Sequence, residues 1–319
     1  MAAAGEASPC VAIIVSSYNR PRLLLDALWS ITLQRYGGPL LILVMDDGSD
    51  GITDYVPDYP DDEDRPPRAA WSADCAVWRS FDRICDQRRS SDDWRFLTHV
   101  PEDPISNDER QHGYRISKRI NVGLRLLNQL PAGSQPKYVC YLCDDDFLTP
   151  RSIDRRVEYL EQHLEANVVY GRLESCTSNA RVQEGIHYVG HPMIEGEPPI
   201  NVGDATNPSS CQHAGAFFDF LPIIRAANRV DHNMFMHRWP LPGWGLEIAN
   251  RVEWPEERSY EELSATYRPE IRAVFDCPDA GFLYRLERAG WGPFHSVNDV
   301  VCVKRYHSMG HRTHPSRRE

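Results

Sequence analysis

The sequence predicts an α/β fold in which a mixed, mostly parallel sheet is flanked by helices. Three observations predict it. Three apolar runs have strand length and no polar interruption: Val11–Val15, Leu40–Met45 and Tyr138–Cys143. Such runs suit strands buried on both faces, as in parallel sheets. Segments of helical periodicity separate and follow them. Two of the runs end directly in acids, Asp46-Asp47-Gly48-Ser49-Asp50 and Asp144-Asp145-Asp146. Ligands of open α/β sheets bind at the carboxyl ends of strands, near a topological switch point, so both clusters should open onto one rim.

Taken in order, residues 1–9 read as a frayed terminus. The first strand leaves through the polar loop Ser16, Ser17, Tyr18, Asn19. Pro21 can open a helix, and Leu23, Leu24, Ala27, Leu28 and Ile31 carry it to about residue 35, where Gly37-Gly38-Pro39 breaks it. With the second strand this makes a βαβ unit, whose crossover should be right-handed. Residues 54–112 differ: six acids fall within 54–64, and Pro57, Pro60, Pro66 and Pro67 punctuate the stretch. It reads as a long surface insertion, with a helix embedded over 71–89 and a strand over Trp94–Val100. Ile116, Ile120, Leu124 and Leu127 mark a helix ended by Pro131-Ala132-Gly133. Beyond the third strand come a helix from Ser152 to His163 and a strand over Val168–Leu173. Then follow loops with short strands over 174–212, a helix over 214–229 and a loop-rich segment over 232–258. A helix over 279–290 and a strand over Ser296–Arg305 complete the order.

A length of 319 residues suggests about two domains, or one large α/β domain with an appendage. The hydrophobic share of 41% supplies a core, which excludes whole-chain disorder. A formal charge of −11 excludes general attraction to phosphate backbones, so no nucleic-acid partner is expected. No apolar stretch approaches the ~18 residues of a membrane span, and no signal-peptide core is present. Nine scattered cysteines suit reduced thiols in a cytoplasmic protein. Cys140 and Cys143 are not expected to act as a metal or redox pair, since strand residues three apart face opposite sides. The oligomeric state is open between monomer and homo-oligomer.

Carboxylates crowded at strand ends repel one another by several kcal/mol at about 4 Å unless something compensates. A hard divalent cation does so, joining one or two carboxylates to substrate phosphates. For a single acidic triplet the alternative is a solvated turn. Two such strand ends in one sheet favour the cation.

The ordered set VAIIVSSYNRP, VMDDGSDG, INVGL, YLCDDDFLTP, DAGFLYRLERAGW and KRYH resembles the GT-A-fold glycosyltransferases of family 2. The resemblance covers most of residues 11–175 and, more weakly, 270–310. It implies a GT-A (Rossmann-like) sheet with a nucleotide-sugar half over 10–175, an acceptor-binding half over 176–305 and a tail over 306–319. It also implies a nucleoside-diphosphate sugar donor, UDP-sugar above others, a Mn²⁺ or Mg²⁺ ion at the pyrophosphate, and inverting attack by an acceptor hydroxyl.

Carried across by position, Ser16 and Tyr18, with Asn19 and Arg20 beside them, match residues contacting the nucleoside. Asp47 matches the base-binding carboxylate, with Asp46 the adjacent alternative. Arg115 matches a base- or phosphate-contacting arginine. Asp144, Asp145 and Asp146 match the DXD region, where the first acid touches ribose and a later one ligates metal, so Asp145 and Asp146 are taken jointly. Where the family carries Glu-Asp before its last helix, this chain has Pro278-Asp279. Asp279 is the candidate general base, with Asp276 as fallback; a helix N-cap is the other role open to Asp279. His307 matches a histidine that closes over metal or diphosphate, against a plain polar tail. Trp239 and Trp244, with Trp254, either line an acceptor site or fill a second core.

Two other functions fit the layout. A sugar-1-phosphate nucleotidyltransferase shares the acidic site but usually carries a Gly-rich basic loop where SSYNRP stands. A catalytically inactive nucleotide-sugar-binding protein would explain the missing acid at position 278.

Overall fold

The computed structural model describes residues 8–18, 21–47, 94–99, 114–176, 179–182, 188–191, 200–201, 223–224, 230–256 and 278–305. The first strand, β1 (Val11–Ser17), and the second, β2 (Leu40–Asp46), are buried throughout and pair in parallel. Helix α1 (Pro21–Thr32) joins them, and its Leu24, Ala27, Leu28 and Ile31 face the core. Strand β3 (Trp94–His99) adds in parallel to β2. The chain then returns through helix α2 (Tyr114–Gln129) to β4 (Tyr138–Cys143), which pairs in parallel with the other side of β1. The crossovers β1–α1–β2 and β3–α2–β4 run in opposite senses across the sheet, and with the right-handed connection the rule requires, α1 and α2 take opposite faces.

Gly123 lets α2 sit close. A Cβ there would meet the Ile14 side chain at 3.2 Å, and Ile14 is at the centre of β1. Ile120, Leu124 and Leu127 bury the rest of that helix face.

After β4 come the short β5 (Phe147–Leu148), helix α3 (Ser152–Gln162) and β6 (Val168–Cys176). A separate three-stranded antiparallel sheet comprises β7 (Asn179–Val182), β8 (Tyr188–His191) and β9 (Ile200–Asn201). Strands β10 (Ile223–Ile224), β11 (Phe235–Arg238) and β12 (Phe294–Arg305) then rejoin the main sheet, with helix α4 (Pro278–Arg288) before the last of them. The nine-stranded order is β10-β12-β6-β11-β4-β1-β2-β3, with β5 paired to β12. Thus β3-β2-β1-β4 is a parallel block, β11 runs antiparallel between β4 and β6, and β12 is parallel to β6. The α/β class and mixed, mostly parallel sheet expected from the sequence are the observed ones. Strands β10, β11 and β12 complete the same sheet that β1 begins.

Two expectations are corrected. Within the span read as a helix over 214–229, Ile223–Ile224 forms a strand against Phe294 and His295 of β12. Paired β-branched residues on an available strand edge outweigh helical spacing. The segment read as loop over 232–258 contains β11, whose four residues fill the gap between β4 and β6. Neighbouring Pro and Gly hide so short a strand. The helix read over 71–89 and the N-terminal residues 1–7 lie outside the described residues. Among the described residues no helix is long and apolar enough to cross a membrane.

Candidate active site

The chain leaves β1 and goes first to β2 on one side, later to β4 on the other. The ends of β1, β2 and β4 therefore form a switch point, the place where open α/β sheets bind ligands. Asp47 follows β2, and its backbone N–H donates to Ser17 O at 2.9 Å. Asp144 follows β4, and its N–H donates to Ser16 O at 3.0 Å. The two acidic stretches thus flank the end of a single strand, two strand spacings or about 10 Å apart. Asp144 is buried, and its Oδ2 accepts the Tyr18 N–H at 3.0 Å, which ties the loop after β1 to the end of β4.

Asp47 is held by Arg119 of α2. Arg119 Nε donates to Asp47 Oδ1 at 2.7 Å, and both side chains are only 8% exposed. A charge pair so withdrawn from water keeps its geometry, because separating it leaves two uncompensated buried ions. Arg119 lies one helical turn beyond Arg115 and was not singled out in the sequence. The Arg115 side chain lies outside the described residues, as do Asn19, Arg20, Asp276 and His307.

The 3₁₀ turn His232–Met234 leads into β11 and brings three polar side chains to the same rim. Asn233 Nδ2 donates to Asp146 Oδ2 at 2.7 Å and to Asp231 Oδ1 at 2.8 Å, while Asn233 Oδ1 accepts the Cys143 N–H at 2.7 Å. Lys304, near the end of β12, pairs with Asp231 Oδ2 at 2.5 Å. Burial would raise the Asp231 carboxyl, but Lys304 and His232 outweigh it and hold it below the usual carboxylate range. Burial would lower Lys304, but Asp231 and Asp146 push it well above its ordinary value.

Asp279 stands in the first turn of α4, where a negative charge is favoured. Its two oxygens take separate bonds from one residue: Oδ2 accepts the His232 N–H at 3.1 Å, and Oδ1 meets His232 Nδ1 at 3.2 Å. The other ring nitrogen, Nε2, lies 2.9 Å from Cys143 Sγ. Burial pushes the Cys143 thiol up to about 11 against the pull of His232. Burial would lower His232, but Cys143 and Asp279 hold it well above its ordinary value. Cys140 takes no part. It is buried on the other side of β4 within reach of the Arg156 guanidinium of α3.

Among the described residues two groups of side chains bring ligand atoms within 4.8 Å of one another: Cys143, Asp145 and Asp146, and Asp231, His232 and Asp279. The oxygen donors of the first suit a hard divalent ion, and its sulfur suits a softer one. The sequence offered one clue to the missed partners: Asp231-His232-Asn233 is a polar triplet directly before an apolar pair, Met234-Phe235.

The three tryptophans are core residues. Trp239 and Trp244 pack with ring centroids 5.2 Å apart, and Trp244 Nε1 donates to Val252 O at 2.9 Å. Trp254 is fully buried and stacks on Phe282 of α4 at 4.6 Å.

No family model matches the chain, and no curated protein matches it in sequence. Solved structures similar to it include those of S. aureus TarS. A TarS crystal structure is 13% identical, with 93% of this chain and 36% of that one covered at a TM-score of 0.48. TarS 1–349 in complex with UDP-GlcNAc is 12% identical, with 93% and 59% covered at 0.46. TarS 1–349 in complex with UDP is 13% identical, with 93% and 60% covered at 0.44. The chain therefore spans between about a third and three fifths of the chains it resembles.

Proposed function

We propose that this chain is an inverting, metal-dependent glycosyltransferase that moves a sugar from a nucleoside-diphosphate sugar, UDP-sugar above others, to an acceptor hydroxyl. One observation carries the reading: Asp47 and the Asp144–Asp146 run flank the end of β1 at the switch point, with Asp279 brought to the same rim through His232 and Cys143. The motif resemblance gives that rim its donor class.

In this reading Ser16, Tyr18 and the Asp47–Arg119 pair bind and orient the nucleoside, with Asn19, Arg20, Arg115 and Asp46 beside them. Asp145 and Asp146 would hold Mn²⁺ or Mg²⁺, which when bound would neutralise charge on the departing diphosphate. His232 fixes the Asp279 carboxylate by both its backbone and its ring, and the carboxylate keeps lone pairs for the acceptor O–H. The acceptor oxygen attacks the anomeric carbon opposite the diphosphate, the carbon–oxygen bond to the diphosphate breaks, and the proton passes to Asp279. Asp276 and His307 are further members of the set by resemblance. Trp239 and Trp244, packed against each other, are the candidates for the wall of an acceptor site.

The test measures UDP release from a UDP-sugar panel with Mn²⁺, with and without acceptor alcohols. Asp145→Ala, Asp146→Ala and excess EDTA should each reduce turnover by about 100-fold or more. Full turnover in both variants and in EDTA overturns the reading.

A further inference from the structure

Cys143 stands where the two ligand groups meet. Its Sγ lies within 4.8 Å of carboxylate oxygens of Asp145 and Asp146, and 2.9 Å from His232 Nε2. The far ring nitrogen of His232 meets Asp279 Oδ1 at 3.2 Å. We propose that Cys143 Sγ and His232 Nε2, with carboxylate oxygens of Asp145 and Asp146, form a mixed-donor site for a thiophilic divalent ion of the Zn²⁺ class. The inference rests on the preceding reading only in placing an ion at Asp145 and Asp146.

The donor chemistry selects the ion. Mg²⁺ wants about six oxygens in octahedral array and has little use for sulfur. Zn²⁺ takes sulfur, imidazole nitrogen and carboxylate oxygen in tetrahedral sites of about four donors. Cys143 Sγ and oxygens of Asp145 and Asp146 lie within 4.8 Å of one another, and His232 Nε2, 2.9 Å from the sulfur, would turn in as the fourth donor to meet that count.

The surroundings of His232 match a ligand histidine. A ring that binds metal through one nitrogen commonly gives the other N–H to a carboxylate, which fixes tautomer and orientation. Asp279 is that carboxylate, and as the ion binds, the protons on Nε2 and on the Cys143 thiol leave to solvent. At usual bond lengths, sulfur and nitrogen on one tetrahedral ion stand about 3.6 Å apart. The thiol and ring therefore need to part by roughly 0.7 Å, a small rotation for a side chain at the open end of a strand. Asn233 meanwhile pins the Cys143 backbone and Asp146 from behind.

The consequence is competition. Asp145 and Asp146 belong to both donor sets, so an ion drawn in by sulfur removes the carboxylates from Mn²⁺ or Mg²⁺. Zn²⁺ then acts as an antagonist of the hard-ion site.

The test uses the full chain, stripped by a chelator, with Co²⁺ and Zn²⁺ as probes. Co²⁺ should give a sulfur-to-cobalt charge-transfer band in the near ultraviolet, absent from Cys143→Ser. Zn²⁺ affinity by calorimetry should fall at least tenfold in Cys143→Ser and in His232→Gln. It should fall about 10- to 100-fold in Asp279→Asn, which touches the ion only through His232. Mg²⁺ affinity should stay within twofold in Cys143→Ser. Because a buried variant can fail to fold, the wild type carries a second measurement: saturating Zn²⁺ should slow alkylation of Cys143, followed by peptide mass spectrometry, at least tenfold. A Co²⁺ band that persists in Cys143→Ser, or Cys143 alkylation indifferent to Zn²⁺, overturns the proposal. The two readings part cleanly. Sulfur ligation without sugar-nucleotide turnover sinks the glycosyltransferase alone; Mn²⁺-dependent turnover without sulfur ligation sinks this inference alone.

Discussion

Asn233 holds Asp146 against the strand that delivers it. Its Nδ2 donates to Asp146 Oδ2 at 2.7 Å while its Oδ1 accepts the Cys143 N–H at the end of β4, also at 2.7 Å. The residue is fully buried, so neither end can turn to water for a substitute. A charge-assisted bond of this kind contributes about 1.5–3 kcal/mol, and losing its donor also strands the Cys143 amide. Asn233→Ala should therefore lower the unfolding free energy by about 3 kcal/mol in urea titrations. Asn233→Asp should do more harm at pH 7, since it sets a third carboxylate against Asp146 and Asp231, and should partly recover on acidification. A midpoint unchanged in both variants would show that the bond carries no weight.

The Asp47–Arg119 pair predicts a different pattern. Arg119→Met leaves a buried carboxylate without its cation, which costs about 3–5 kcal/mol. Replacing both, as Asp47→Leu with Arg119→Met, should restore most of that stability, because an apolar pair of similar volume is often as good as a buried ion pair. The double-mutant cycle reads the coupling directly. Under the proposed function nucleotide binding should not recover in the double variant, since in that reading Asp47 is the group offered to the base. Additive losses, with no coupling, would mean that the pair is not formed in solution.

Much of this fold was legible in the sequence, and the reason is physical. β1, β2 and β4 are each continuous apolar runs because helices cover both faces, and α1 to α4 each show one apolar stripe. β11 was not legible: four residues, Phe-Met-His-Arg, carry neither a run nor an alternation, and their strand state comes from the gap between β4 and β6. The rim carboxylates were legible because they sit directly on strand ends. Their partners were not. Arg119 reaches Asp47 through the packing of α2 on the sheet, which no local pattern marks. The Cys143–His232 contact joins residues 89 apart, and His232–Asp279 joins residues 47 apart, separations at which no local pattern exists.

His237 sets a pH limit. It is fully buried in β11, bonded to Tyr141 Oη at 2.7 Å and to Arg238 O at 2.7 Å. Burial pushes it down to about 4, with the Arg238 carbonyl pulling the other way. In the unfolded chain a histidine takes its proton near 6.5. Between 6.5 and about 4 the unfolded state binds more protons, so stability falls as pH falls, by about 3 kcal/mol over the window. Urea midpoints at pH 7 and pH 4.5 should differ accordingly, and His237→Gln should flatten that slope. An equal slope in the variant would assign the acid sensitivity elsewhere.

Lys304 and Asp231 act at the two ends of the pH scale. Asp231 lies below its ordinary value in the folded chain, so its contribution is present above about pH 4 and is lost as pH falls through the lower folded value. Lys304 lies above its ordinary value, so its contribution holds below about pH 10 and is lost as pH rises beyond it. The Lys304 side chain is 35% exposed, and solvent screening limits the pair to about 1–2 kcal/mol. Lys304→Met should move the acid-unfolding midpoint to higher pH, read by far-ultraviolet circular dichroism. A midpoint that does not move would mean that Asp231 gains nothing from the ammonium.

Trp254 places Asp279 from a distance. Its ring stacks on Phe282 at 4.6 Å with an interplanar angle of 11°, and Phe282 lies one helical turn beyond Asp279 on α4. Tyr141 of β4 meets the same indole edge-on at 5.1 Å, and Asn121 of α2 fixes its backbone from both sides, accepting from Trp254 N at 2.8 Å and donating to Trp254 O at 3.0 Å. The ring is thus a spacer between the sheet and α4, and the spacing sets where the Asp279 carboxylate meets His232. Trp254→Ala should lower stability by about 3–5 kcal/mol through the cavity it leaves. It should also let α4 settle inward, breaking the His232 Nδ1–Asp279 bond. Ring ¹⁵N shifts of His232 report that bond directly. They should match those of Asp279→Asn in Trp254→Ala and stay near wild type in Trp254→Phe, which keeps the stack. Wild-type shifts in Trp254→Ala would show that α4 holds its place without the indole.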